Sequence, residues 1–248
     1  MRRFFVTGDK HRNFKDVIRF CRKEKTNKED VLIILGDSGF NYFGDERDSK
    51  LKRKISKLKI TVFCLHGNKE NRPQNVGTYG IRNFCDGKVY YEPKYPNLYF
   101  AIDGQVYTFA GKQYMVIGGA HSVDKMRCIE EGLPFFEDEM PDDKVKELVE
   151  NKLQIYNNQI EGFMTHTCPL RYVPTEMFVS TRQKEMQRKK IQWKKKKLFV
   201  PDIDRSTEKW LEILENTVAY DVWYCGHYHI DKQIDKINMM YHEIVELL

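Results

Sequence analysis

The sequence predicts an α/β fold. Apolar runs of strand length end repeatedly at Gly-Asp, Gly-Asn or Gly-His, and stripes with helical spacing separate the early ones. The run Val31-Leu32-Ile33-Ile34-Leu35 has no polar alternation, as expected of a strand covered on both faces.

Taken in order, Phe4-Phe5-Val6 is a strand that breaks at Thr7-Gly8-Asp9, and "GDKH" (8 to 11) is its exit loop. Phe14, Val17, Ile18 and Cys21 form a helical stripe with Asn13 in capping position. After the strand at 31 to 35 comes a second stripe, Leu51, Ile55 and Leu58, and then Ile60 to Leu65 gives another strand ending at His66-Gly67-Asn68. Residues 89 to 109 are rich in Tyr and Phe and punctuated by Pro93, Pro96 and Gly104, which predicts short strands and turns. Tyr114 to Ile117 runs into Gly118-Gly119. Pro141-Asp142-Asp143 opens a helix with Val145, Leu148, Val149, Leu153 and Tyr156 facing inward. Gly162 to Thr165 leads to His166, and Tyr220 to Tyr224 leads to Gly226-His227-Tyr228-His229. No repeat, low-complexity tract or Gly/Ser linker divides the chain, so one domain over 1–248 is expected, with 176–200 as a basic, lid-like segment.

Composition agrees with a folded chain: 31% charged, 41% hydrophobic and 13% aromatic residues. Six scattered cysteines show no zinc-knuckle or redox-dithiol spacing and read as reduced thiols. The apolar run after Arg2-Arg3 is far short of a signal-peptide core, and no stretch approaches the ~20 apolar residues of a membrane helix. Cytoplasm is the expected compartment, with no membrane partner. The net charge is +6, but residues 182 to 197 alone hold nine basic residues against Glu185, which leaves the remainder close to neutral.

The polar residues at the strand exits obey a rule: Asp9 and His11, then Asp37, Asn68, His166, and His227 with His229. In an α/β sheet the carboxyl ends of neighbouring strands share one edge, so residues distant in sequence can meet there. On an extended backbone, i and i+2 point the same way, which predicts convergence within the Asp9/His11 and His227/His229 pairs. Carboxylate, imidazole and amide oxygen without thiolate suit Mn, Fe, Zn and similar divalent ions. Seven such ligands exceed what one ion uses. Two ions sharing a carboxylate accommodate them.

The order Gly-Asp-x-His, Gly-Asp, Gly-Asn-x-Glu, His, Gly-His-x-His resembles the calcineurin-like metallophosphoesterase superfamily over residues 8 to 229. "GGAHSVDK" (118 to 125), Phe135-Phe136, "THTCP" (165 to 169), "DRSTEKWL" (204 to 211) and "WYCGHYHID" (223 to 231) resemble its small bacterial and phage-type branch. That resemblance implies a four-layer α/β/β/α sandwich with a dinuclear centre. It places Asp9, His11, Asp37 and His229 on one metal, and Asp37, Asn68, His166 and His227 on the other, with Asp37 as bridge. Manganese is the expected ion, with Fe, Ni, Co or Zn as alternatives. The implied activity is hydrolysis of phosphomono- or phosphodiesters by a metal-bridging hydroxide, the two ions lying roughly 3.5 to 4 Å apart. A residual positive charge at such a centre attracts phosphate.

Two departures qualify the resemblance. The family's Gly-Asn-His-Asp/Glu is here "GNKE", with Lys69 in the histidine's place. An unperturbed lysine holds its proton to about pH 10.4, against about 6.5 for histidine. Lys69 is therefore expected to act as a charge clamp, with protonation of the leaving group left to water or His121; the competing reading is that Lys69 only faces solvent. Phe40 stands where many members are acidic, and the "DRG" of protein serine/threonine phosphatases is missing, which disfavours a protein substrate. Cys168 and Cys225 either adjust metal preference or are inert buried thiols. His121, Asp124, Lys125 and Arg127 follow another strand exit and are expected in the substrate cleft, although Asp124-Lys125 also reads as a structural ion pair. The basic run with Trp193 inside it fits either a solvated lid or a surface that tracks a phosphate backbone and stacks a base, so nucleic acid or a nucleotide is a possible partner. A non-catalytic scaffold is the remaining alternative, and seven competent ligand positions speak against it.

Overall fold

Alternating side chains along each strand explain why two sheets stack. The computed structural model describes residues 2–175 and 203–248. The basic run at 182–197, with Trp193, lies outside the described residues.

The first sheet contains β1 (Phe4–Thr7), β2 (Val31–Ile34), β3 (Thr61–Cys64), β4 (Gly80–Phe84), β5 (Gly87–Tyr91), β6 (Leu98–Ala101) and β13 (Val245–Glu246), in the order β13-β1-β2-β3-β6-β5-β4. The second contains β7 (Val106–Phe109), β8 (Lys112–Ile117), β9 (Gly162–Thr165), β10 (Val222–Cys225), β11 (Lys232–Ile234) and β12 (Ile237–Met239), in the order β11-β12-β10-β9-β8-β7. The central neighbours β1-β2-β3-β6 and β8-β9-β10-β12 are parallel, and the antiparallel strands lie towards the edges. The helices are α1 (Lys15–Lys23), α2 (Glu46–Ile55), α3 (Lys125–Glu130), α4 (Asp143–Ile155) and α5 (Ser206–Thr217).

Odd and even residues sort into layers. Phe4, Val6, Val31, Ile33 and Phe63 of the first sheet meet Tyr107, Phe109, Tyr114, Val116 and Met164 of the second, forming the central core. Their alternates Phe5, Leu32, Ile34, Val62 and Cys64 face Val17 and Cys21 of α1 and Ile55 of α2. On the far side Met115, Ile117, Phe163 and Trp223 pack against Val149 and Leu153 of α4 and Trp210, Leu211 and Leu214 of α5. The result is the four-layer α/β/β/α sandwich, with the inner parallel strands β1, β2, β3 and β9 buried along their whole length because each face is covered.

Several local readings shift. Asn13 does not cap α1 from the N-cap position, which Phe14 occupies, but its side chain accepts from the Lys15 amide. Leu148 is 46% exposed although its spacing predicts the inner face of α4. The stripe on that helix is narrow, and Val149 and Leu153 already fill it. Phe40, in place of an acidic residue, is buried and stacks on Phe14 at 5.1 Å, closing the core beneath the β2 exit loop. Among the described residues no helix is long and apolar enough to cross a membrane.

Candidate metal centre

Because β1, β2, β3 and β8, β9, β10 run parallel within their sheets, their exit loops gather along one edge of the sandwich. Backbone bonds tie those loops together: the Lys10 and His11 amides donate to Asp37 O (3.1 and 2.8 Å), Gly119 N to His66 O (2.9 Å), and Gly226 N to His166 O (2.9 Å). Two glycines make the close approach possible. A Cβ on Gly36, at φ +96°, would lie 2.1 Å from His166 Nδ1, and one on Gly67 would lie 2.0 Å from Asp37 Oδ1.

All seven expected ligands meet here. His11 Nε2 is 2.8 Å from His229 Nε2, 3.5 Å from Asp9 Oδ2 and 3.7 Å from Asp37 Oδ2. His229 Nε2 is 3.2 Å from Asp9 Oδ2. On the other side His166 Nε2 is 2.8 Å and His227 Nδ1 3.1 Å from Asn68 Oδ1, with His166 Nε2 3.9 Å from Asp37 Oδ2. Asp9 belongs to both compact carboxylate and imidazole groups, one with His11 and His229, the other with Asp37 and His166. Asp37 Oδ2 is the oxygen within reach of an imidazole from each side, as a shared ligand requires.

The pairs do not converge by the extended-strand route. His11, Arg12, Asp37, His227 and His229 all have positive φ (41°, 70°, 47°, 69° and 54°), so tight left-handed turns aim these side chains. The i, i+2 spacing is right, and its geometric reason is a turn.

The donor set fits divalent cations on an internal test. His166 Nδ1 donates to Leu35 O at 2.7 Å, which leaves the lone pair of a neutral ring on Nε2. Asn68 Nδ2 donates to Ser122 Oγ at 2.7 Å, which turns its Oδ1 toward that same Nε2. In a neutral ring these are two acceptors 2.8 Å apart, and the pair is satisfied either by a proton on Nε2 or by a cation that both atoms ligate.

Charge states agree. Burial, with the neighbouring His166, pushes His227 down to about 3, so its ring is neutral and able to ligate. Burial opposes charge on His11, but Asp9 and Asp37 outweigh it and raise its pKa. Burial and then Asp37 lift Glu70 to about 7; its carboxyl accepts from Ser38 N (3.2 Å), Ser38 Oγ (2.7 Å) and Gly39 N (3.0 Å), pinning the β2 exit loop.

Ser122 and Glu70 lie within the GGAHSVDK and Gly-Asn-x-Glu motifs, but their roles as positioning residues are not read from spacing, since each acts across two loops. We expect Ser122→Ala to free the Asn68 amide to flip and to weaken metal binding about 10- to 100-fold. Titration of the metal-free variant with manganese, followed by calorimetry, measures it.

Around the centre, Lys69 donates its amide to Asp37 Oδ1 at 2.7 Å, and its ammonium pairs with Asp124 and lies 3.6 Å from Cys128 Sγ. Burial disfavours that ammonium, yet Asp124 more than compensates and raises its pKa. Lys69 is thus an ammonium held in an ion pair with Asp124 and not a side chain free in solvent. The expected Asp124-Lys125 pair gives way to Lys69-Asp124, while Lys125 Nζ sits 4.4 Å over the Phe135 ring. Lys69, Asp124 and Arg127 line a cavity of about 430 Å³ beside His11 and His229. His121 is not on that wall: its Nδ1 lies 3.3 Å from Glu139 Oε1. Cys168 and Cys225 are both buried beneath the ligand loops, and burial, then Cys168, pushes the Cys225 thiol well up.

Among known proteins, the calcineurin-like phosphoesterase family model matches residues 2–231. No curated protein matches the chain. TT1561 of Thermus thermophilus is 11% identical, with 99% of this chain and 97% of that one covered, at a TM-score of 0.46. The protein of unknown function AQ665 from Aquifex aeolicus is 12% identical over 67% of this chain and 81% of its own, at 0.32, and a further solved structure is 12% identical over 96% and 89%, at 0.49. Likenesses this distant carry no argument, whereas the family match spans nearly the whole sequence and every strand exit that supplies a ligand. The chain belongs to the calcineurin-like phosphoesterase family.

Proposed function

We propose that the protein hydrolyses phosphate esters with two divalent cations, manganese foremost, held by Asp9, His11, Asp37 and His229 on one side and by Asp37, Asn68, His166 and His227 on the other. The observation that carries this reading is the face-to-face meeting of His166 Nε2 and Asn68 Oδ1, each fixed from behind by its own hydrogen bond. When bound, such ions supply Lewis acidity to the phosphoryl oxygens and lower the pKa of water. The protein's own residues do the rest. Asp37, fixed by the Lys69 amide, holds the two halves of the site in register. Lys69 fastens an incoming phosphate by charge, its ammonium steadied by Asp124. The cavity beside His11 and His229 receives the remainder of the substrate.

Metal analysis of purified protein should find two ions per chain, and turnover of p-nitrophenyl phosphate and bis-p-nitrophenyl phosphate should appear with Mn, Ni, Co, Zn or Mg and vanish with chelator. A protein that binds no such ion, or turns over neither compound when loaded, refutes the reading. Acid should unload the site. Metal entry displaces protons from imidazoles, so affinity falls with falling pH, roughly tenfold per unit for each proton displaced. The raised pKa of His11 extends that dependence above the ordinary histidine range, which manganese titrations between pH 5 and 8 will show.

A further inference from the structure

The imidazoles of the metal centre are steadied in different ways. His166 is fixed from behind, by Leu35 O at its Nδ1. His229 meets Asp9 Oδ2 at 3.2 Å and His11 Nε2 at 2.8 Å, and both contacts pass through its own Nε2. They hold the tip of the ring and leave its tilt to whatever lies on its face. That face carries the Tyr241 ring, stacked with centroids 4.7 Å apart and an interplanar angle of 18°. The His229 side chain is 43% exposed, so packing on its other sides restrains it little.

Tyr241 is itself held by the strand exits that carry the ligands. Asp231 accepts from the Tyr241, His242 and Glu243 amides at 2.7, 3.0 and 3.1 Å, which winds residues 241–243 around one carboxylate. Tyr241 O accepts from Lys10 Nζ at 2.9 Å, and Lys10, whose side chain is buried, is anchored by Asp16 at 2.9 Å. Thr7 Oγ1 donates to Glu243 O at 2.7 Å. A Cβ on Gly8 would lie 1.8 Å from Met240 O, so glycine is what lets the two loops close. Within "GDKH", then, Gly8 admits the C-terminal loop, Lys10 fastens it, and Asp9 and His11 face the ion site. We propose, on the footing of the dinuclear reading above, that Tyr241 is a positioning residue for His229: stacked on the ring and fixed through Lys10 and Asp231, it presets the direction of Nε2 for the cation held with Asp9 and His11. A ring already pointed loses less freedom when the ion enters.

The test titrates manganese into the metal-free full chain by calorimetry, for the parent and for variants at 241 and 10. Tyr241→Leu should weaken one of the two ions about 10- to 100-fold, the range in which residues behind a metal ligand act, and leave the other within about threefold. In a His229→Ala background the leucine should add nothing, because the ring it acts through is gone. Tyr241→Phe keeps the stack without the hydroxyl and should bind both ions like the parent. Lys10→Met unfastens the loop with both rings present and should weaken the same ion by less. In the metal-free protein, the ring at 241 should shift the His229 ring-proton resonances upfield in the parent and in Tyr241→Phe, and Tyr241→Leu should abolish that shift. Parent-like binding by folded Tyr241→Leu or Lys10→Met, equal weakening of both ions, a loss in Tyr241→Phe that matches the leucine variant, or resonances that do not respond would each overturn the proposal and leave the dinuclear reading standing. A parent that binds no ion removes both.

Discussion

Asp37→Asn should abolish turnover, with a loss on the order of 10³-fold or more in kcat/KM, while leaving the metal-free protein at least as stable as the original. Both halves follow from one carboxylate. The Lys69 amide donates to Oδ1 at 2.7 Å, so in the variant that donor selects the amide oxygen and forces the NH₂ group into the place of Oδ2. Oδ2 is the atom facing His11 and His166. An NH₂ there turns positive hydrogens toward the site of two cations, and the shared ligand becomes a barrier. The loss expected matches what removal of a directly stabilising polar group costs in other active sites. Stability goes the other way. Burial, and then the charge of Asp9 nearby, raise the Asp37 carboxyl above the usual range, so without metal this ionised side chain is a burden. Thermal unfolding with and without manganese separates the two: the metal-free Tm should hold or rise, and the manganese-dependent increment should disappear. A variant that still binds two ions and turns over p-nitrophenyl phosphate would show that Asp37 is no bridge.

Trp223→Ala should cost about 3–5 kcal/mol of folding stability. The indole is fully buried, stacks on Phe163 at 4.3 Å and 21°, and meets Tyr220 edge-on at 5.5 Å. Its Nε1 donates to Thr165 Oγ1 at 2.7 Å, and that hydroxyl in turn donates to Thr167 O. Truncation therefore opens a cavity behind the second sheet and removes one of the two hydrogen bonds of a buried hydroxyl. Trp223→Phe separates these effects, since it keeps most of the apolar bulk and loses the hydrogen bond, at about 1 kcal/mol. Urea unfolding of the metal-free proteins measures both. The position matters because Trp223 and Thr165 lie on neighbouring strands whose exits carry His166, His227 and His229. An alanine variant within about 1 kcal/mol of the parent would mean that helix α5 collapses onto the gap.

Much of this is legible in the chain because parallel strands write themselves as plain apolar runs, and each run here stops at a residue suited to bind a metal. That pairing of a strand end with Asp, Asn or His places all seven ligands at one edge. What the runs conceal is the way backbone direction is set in the loops. His11, His227 and His229 reach inward through left-handed turns, a choice that histidine's propensities do not announce. Ser122 and Glu70 stand within the GGAHSVDK and Gly-Asn-x-Glu motifs, but their roles stay hidden for a different reason. Each acts through a partner more than thirty residues away, on Asn68 and on Ser38 with Gly39, so the motif does not disclose what it holds. Lys69 is legible only in part, because local spacing pairs Asp124 with Lys125, and only the return of the segment before α3 across the β3 exit brings that carboxylate to Lys69. The three short strands at the C-terminal end carry too few residues for any period to declare itself.

The five positive φ angles around the ligands have a price for anyone who would move the motif elsewhere. Such conformations sit on the order of 1–3 kcal/mol above the relaxed chain apiece, and they persist because the stitched loops leave no alternative. Synthetic peptides spanning 5–13 or 224–232 should relax into ordinary conformers and hold manganese no better than any stray histidine pair. Metal affinity is expected to come from the whole scaffold's stiffness, delivered before the ion arrives.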